Sequence, residues 1–147
     1  MPTTRTDPYN GYNFSVEIDG ISAAGFKSVS GLDATVATVT YREGTDVGLN
    51  SRPLPGLVTY SNIVLSRGIT LDRSLWDWHS GIVNGTLTRK NVSVVLLDNT
   101  GTEKIRWNLA NCWPTKWSGA NLDASSDAIA IETLELAHEG IEVQKWS

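Results

Sequence analysis

Few side chains in this sequence could do chemistry. Two histidines stand beside potential partners, His79-Ser80 and His138-Glu139, and two carboxylates, Glu132 and Glu135, lie three residues apart in a segment patterned as a strand. A paired-carboxylate site needs both groups on one face, but strand positions three apart point to opposite faces. His79 has no second ligand at i+4 and reads as structural. Cys112 is the only cysteine, so an internal disulfide is excluded and a structural zinc site within one chain is not expected. It reads as a small buried apolar residue. With no glycine-rich phosphate loop, HExxH, CxxC or nucleophile elbow, catalysis would need a constellation gathered from distant residues. The sequence therefore points away from an enzyme, and no cofactor or metal is expected.

The elements that would carry these residues are those of a folded domain. The 147 residues suffice for one domain, 1–147, with a sizeable core. Hydrophobic content of 40% and charged content of 19% exclude a disordered chain, and polar interruptions exclude a membrane span. Residues 1–12 lack the apolar core of a secretory signal, so cytoplasmic synthesis is expected. A net charge of −4 argues against a protein whose task is gripping phosphate backbones. The signs are separated: 117–147 holds six acids against Lys145, whereas 89–116 holds five bases and two acids. Such separation could align one copy's face with another's, and solvated strand edges explain it equally.

Period-two alternation of Tyr12, Phe14, Val16 and Ile18 predicts a half-buried strand, and Asp19-Gly20 predicts a hairpin ending near Phe26. The Val- and Thr-rich stretch 27–41 predicts one or two strands broken at Ser30-Gly31. Residues 57–65 read as a strand covered on both faces. The convincing helix is 71–85, with Asp72 as N-cap, Leu71 and Trp76 as a staple, Leu75, Trp78 and Ile82 inward, and Asn84-Gly85 as the stop. A hairpin over Asp98-Asn99-Thr100-Gly101, a bending strand through Trp107, Trp113, Pro114 and Trp117, and a final strand pair with a corner at Glu139-Gly140 complete the chain. In that last pair Ile129 and Ile131 share one parity but Leu134 and Leu136 the other; such a switch calls for a β-bulge or a strand that crosses between sheets, and a bulge is expected near Glu132-Thr133.

Residues 43–56 fit none of these patterns. This long loop carries Val47, Leu49, Pro53, Leu54 and Pro55 among its charges, whereas most connections span about 4–6 residues. Ordering such a loop costs roughly 14–28 kcal/mol of backbone entropy, which needs on the order of 600–1,100 Å² of apolar burial. A neighbouring copy could supply that surface. A floppy surface loop is the other reading.

Several stretches resemble one family. LPGLVTYSNIVLSRGIT (54–70), LWDWHSG (75–81) and IETLELAHEGIE (131–142), with the opening DPYNGYNFSVEIDG and GFKSVSGL, are similar to inner tube proteins of contractile phage tails and phage-tail-like extracellular injection systems. The resemblance spans the chain in order. It implies a mainly β subunit, a β-sandwich or barrel with one flanking helix (about 72–84) and an assembly loop (about 43–56). Six copies would form a ring and rings would stack into a hollow tube, conduit and ram inside a contractile sheath nucleated by baseplate and spike proteins, with protein or DNA cargo in the lumen. No membrane anchoring is implied, and the particle would be a virion or an extracellular tail-like assembly. It also implies ring-to-ring contacts through Arg42, Glu43, Asp46, Arg52, Leu54 and Pro55. Lumen wall and lateral pairing would fall to strands near 36–41, 57–65 and 129–136, with Thr38, Thr40, Asn62, Ile129 and Ile131 as candidates. Two other readings stand beside it: a monomeric ligand-binding barrel lined by the six tryptophans, and a type VI secretion tube.

Overall fold

The structure is a computed structural model and describes residues 7–21, 25–42, 44 and 52–147. In chain order the elements are β1 (Phe14–Ile18), β2 (Phe26–Ser30), β3 (Ala34–Tyr41), β4 (Arg52–Tyr60), β5 (Ile63–Gly68), α1 (Ser74–Val83), β6 (Lys90–Leu97), β7 (Glu103–Ser118), β8 (Ile131–Ala137) and β9 (Ile141–Trp146). They form a mainly β sandwich with one flanking helix. One sheet runs β1-β6-β7-β9 and the other β7-β8-β5-β2, all antiparallel, with β7 shared between them. The core takes Val16, Val92, Val94 and Leu109 from the first sheet, Ile63, Leu65, Leu134 and Leu136 from the second, and Leu75 and Trp78 from α1. Among the described residues no helix is long and apolar enough to cross a membrane.

The sheet crossing lies in β7 rather than near Glu132. Residues 103–112 of β7 pair with β6, and residues 113–118 pair with β8. Asn111 between them takes φ 52°, a left-handed conformation that Asn tolerates, and the register slips between Pro114 and Lys116. Against β5, by contrast, β8 forms an unbroken ladder from Ile63↔Leu136 to Gly68↔Ile131. The expected bulge is therefore absent. Glu132 is itself an inward residue, so 132, 134 and 136 share one parity. Ile131 faces the other way, and Ile129 precedes the strand and is exposed.

Other expectations are corrected by pairing. The Asp19-Gly20 turn forms, with Gly20 at φ 73° and Ile21 N–H donating to Ile18 O at 3.0 Å. Yet β1 pairs with β6 and β2 with β5, because the two segments enter different sheets. Likewise β8 and β9 pair with opposite halves of β7 and not with each other. The strand expected over 57–65 is two strands parted at Ser61-Asn62, where Gly31 takes φ 93° and a Cβ on it would collide with the Asn62 carbonyl. Helix α1 begins at Ser74, not at Asp72. Asp72 Oδ1 accepts the Ser74 N–H at 3.0 Å from just before the helix, and Leu71 is fully exposed, so no staple forms with Trp76.

Candidate assembly surface

The loop expected over 43–56 ends earlier, since Arg52 onward is strand. Among the described residues β3 and β4 pair only with each other, as a two-stranded arm outside the sandwich. Every residue of β3 is exposed, and in β4 all but Gly56 are. A lone two-stranded ribbon is marginally stable at best in water. This one also carries no charged side chain over 34–41 or 53–60, and exposes Val36, Val39, Leu54 and Val58 by about half and Leu57 by 81%.

Register gives the arm two faces. Thr38 and Thr40 lie opposite Pro55 and Pro53, while Val39 lies opposite Leu54 and Tyr41 opposite Arg52. Directly opposed residues share a face in an antiparallel pair, so the outer half has a Thr/Pro side and a Val39/Leu54 side that ends on Tyr41 and Arg52. Between them, Gly56 and Leu57 together oppose Ala37 as a bulge. A Cβ on Gly56 would stand 2.9 Å from Val39 Cγ2 and 3.1 Å from the Ala37 carbonyl. Pro53 and Pro55 share parity and offer no N–H to the edge they face, a standard protection against indiscriminate strand pairing.

The root of the arm is tied down. Asp33 Oδ1 accepts the Ser61 N–H at 3.3 Å, and His138 Nε2 lies 3.0 Å from Ser61 O. The His138 ring sits 5.5 Å from that of Tyr60, and Asn62 Nδ2 donates to Glu135 Oε1 at 3.4 Å. Sequence reasoning found no role for His138. Its position becomes visible only once β8 is placed beside β5.

Of the expected ring-to-ring residues, Arg42, Arg52, Leu54 and Pro55 lie in or next to the arm, whereas Glu43 and Asp46 fall outside the described residues. Of the lumen and lateral candidates, Thr38 and Thr40 share the Thr/Pro face, Asn62 is at the root, and Ile129 and Ile131 stand at the start of β8. Both edges of β5 and of β8 are occupied within the chain. Open edges among the described strands are those of β1, β2, β9, residues 113–118 of β7 and the arm.

The residues with chemical potential are dispersed. Glu132 is buried against Arg67, Glu135 faces the other side, and His79 lies on α1. Burial pushes the Cys112 thiol up to about 12. Among the described residues no group of three or more His, Cys, Asp or Glu is placed to hold a metal. The tryptophans are divided too: Trp78 is core, Trp76 meets Trp117 edge-on at 4.8 Å, and Trp107 meets Trp146 at 6.4 Å.

This fold is shared with chains of contractile injection systems. The chain superposes on a chain of the PVC extracellular contractile injection system sheath–tube complex in its extended state with TM-score 0.84 and 30% identity, covering 94% of this chain and 92% of that one. With a chain of the anti-feeding prophage cap the TM-score is 0.87 at 28% identity, covering 99% and 96%. Hcp1 from Flavobacterium johnsoniae shares the fold, with TM-score 0.58 and 17% identity over 90% and 95%. No curated protein sequence matches significantly. Residues 10–142 match the family of the T4-like virus tail tube protein gp19, and the chain belongs to that family.

Proposed function

We propose that this chain is the structural subunit of the hollow inner tube of a contractile injection apparatus. Six copies close into a ring, and rings stack within a contractile sheath on a baseplate and spike. The tube serves as conduit for protein or DNA and as the ram driven through a target envelope. The subunit is made in the bacterial cytoplasm and leaves as part of a virion or an extracellular tail-like particle. The observation that carries this reading is the β3–β4 arm, uncharged over 34–41 and 53–60, whose apolar side chains have no cover among the described residues. Such an element is stabilised when neighbours close it. Arg42, Glu43, Asp46, Arg52, Leu54 and Pro55 then serve contacts between rings, and the Thr38 and Thr40 face of the arm, with Asn62, Ile129 and Ile131, is assigned to the lumen or lateral strands.

The test is negative-stain electron microscopy of the purified protein beside a variant lacking residues 46–55. Wild-type rings or tubes with a central hole, and loss of stacking in the variant, are expected. Equal stacking by the variant would remove the loop and the strand start from the assembly.

A further inference from the structure

Asparagine followed by glycine occurs twice in the chain, at Asn10-Gly11 and at Asn84-Gly85. In this dipeptide the backbone most readily attacks the preceding side chain, because glycine has no Cβ to block the approach and leaves the backbone free to turn. Both pairs are exposed, so solvent reaches either one. What separates them is the backbone nitrogen that must act as nucleophile.

At Asn84-Gly85 that nitrogen is engaged. Gly85 N–H donates to Ile82 O at 3.0 Å, Asn84 N–H to Ser80 O at 3.0 Å and Thr86 N–H to Gly81 O at 2.7 Å. These consecutive bonds form the stop of α1, and attack would have to break it. At Asn10-Gly11, by contrast, Gly11 N–H donates to no group among the described residues, and the turn closes only through Asn13 N–H to Asn10 O at 3.5 Å. Nothing lies within 4 Å of the Cβ position of Gly11. Asn10 Nδ2 donates to Tyr12 Oη and to Asn99 Oδ1 at 3.2 Å each. Those bonds are long and exposed, and water can replace them.

We propose that Asn10 is a site of spontaneous covalent modification, deamidation through a cyclic imide, from which Asn84 is protected by its turn. Gly11 N bonds to Asn10 Cγ and the Cγ–Nδ2 bond breaks, so that ammonia leaves with the proton that Gly11 gave up. Water then adds to one of the two imide carbonyls and reopens the ring. One opening leaves aspartate; the other leaves isoaspartate, in which the chain continues through the side-chain carbonyl. No oxidant or reductant takes part.

The place of Asn10 gives the change a consequence. Asn10 and Asn13 both donate to Asn99 Oδ1, and Leu97 N–H donates to Asn13 O at 2.8 Å, so residues 9–13 lie as a strap on the turn between β6 and β7. The Tyr9 hydroxyl adds a bond to Ser147 O at 2.8 Å. A carboxylate at position 10 has no proton to donate and faces the Asn99 oxygen. It also adds a negative charge to a hollow of about 270 Å³ already lined by Asp7 and Asp98. Deamidation therefore releases the strap from the turn, slowly and irreversibly.

The test ages the full-length protein in warm, mildly alkaline buffer and maps its peptides by mass spectrometry, with electron-transfer fragmentation to tell aspartate from isoaspartate. In folded protein, residue 10 should deamidate severalfold faster than residue 84, and in urea the two should react at comparable rates. Gly11→Ala, for which there is room, should slow the reaction severalfold at residue 10 and leave residue 84 unchanged. Equal rates at the two positions in folded protein, or faster loss at 84, would overturn the site. An unchanged rate in Gly11→Ala would overturn it too, since direct hydrolysis of the side chain needs no backbone nitrogen. Asn10→Asp tests the consequence by hydrogen exchange. Its Leu97 amide should exchange severalfold faster than in wild type, while the amides of Leu65 and Leu134, paired in the β5–β8 ladder, keep their rates. An unchanged Leu97 rate would overturn the release of the strap.

Discussion

Arg67 donates its Nε–H to Glu132 Oε1 at 2.7 Å, and both residues are only 4% exposed. The pair joins β5 to β8 and is extended on either side. Trp117 Nε1 donates to Glu132 Oε2 at 3.1 Å, Asp72 Oδ2 accepts from Arg67 Nη1 at 3.3 Å, and the Phe26 ring lies 5.6 Å from the guanidinium carbon. One node thus fixes four strands and the approach to α1. Breaking a buried ion pair strands the remaining charge and typically costs about 3–5 kcal/mol. Glu132→Gln should lower unfolding stability by about 3 kcal/mol, because Asp72 still faces Arg67 and a glutamine oxygen can still accept from Trp117. Adding Arg67→Met should recover part of the loss. Urea denaturation measures both, and a loss under about 1 kcal/mol for Glu132→Gln would show that the pair does not hold the sheets.

Gly31 is the point where β2 leaves the second sheet for the arm. Its φ of 93° and its crowding against the Asn62 carbonyl leave no room for a side chain. Gly31→Ala should cost about 1–3 kcal/mol and weaken the arm root. Gly11→Ala, where nothing lies within 4 Å, should stay within about 0.5 kcal/mol of wild type in the same melts.

Cys112 should be inert while the chain is folded. The thiolate is the reactive form, and burial raises the thiol to about 12. Alkylation by iodoacetamide at pH 8 should be negligible in native buffer and rapid in urea. Equal rates in both would mean that the β6–β7 end opens freely.

Arg106 bonds Glu103 Oε1 and Glu17 Oε2 at 2.6 Å each and holds both carboxyls below their ordinary value of 4.5. A depressed carboxyl contributes stability that is present above its unfolded value and lost as pH falls through its folded value. Wild-type protein should therefore lose this contribution progressively below pH 4.5, and the Arg106→Met variant should differ most at neutral pH and converge on wild type in acid. Glu17 is largely exposed, so the difference should also shrink in high salt. Thermal melts across pH check it, and a gap that widened in acid would reverse the assignment.

What could be read in the sequence depended on whether the signal was local. Alternating apolar residues marked β1, and Asp98-Asn99-Thr100-Gly101 marked the turn that the Asp98 carboxylate closes by accepting the Thr100 and Thr102 N–H groups. Asn84-Gly85 marked the helix end, where Gly85 takes φ 96°. Glu132 could not be read as inward, because a carboxylate looks like surface until Arg67, 65 residues away, is beside it. With Glu132 taken as outward, the change of parity between Ile131 and Leu134 read as a bulge that the ladder does not have. Pro53, Pro55 and Gly56 likewise read as loop, whereas an arm strand with no neighbour beyond β3 tolerates prolines that an interior strand would not.

The central claim, a ring-forming tube subunit, is tested most directly by the mass of the purified protein in multi-angle light scattering over a concentration series. The account expects species of six times the 16.0 kDa chain and whole-number multiples of that ring. A single 16.0 kDa monomer persisting at the highest concentrations would contradict it.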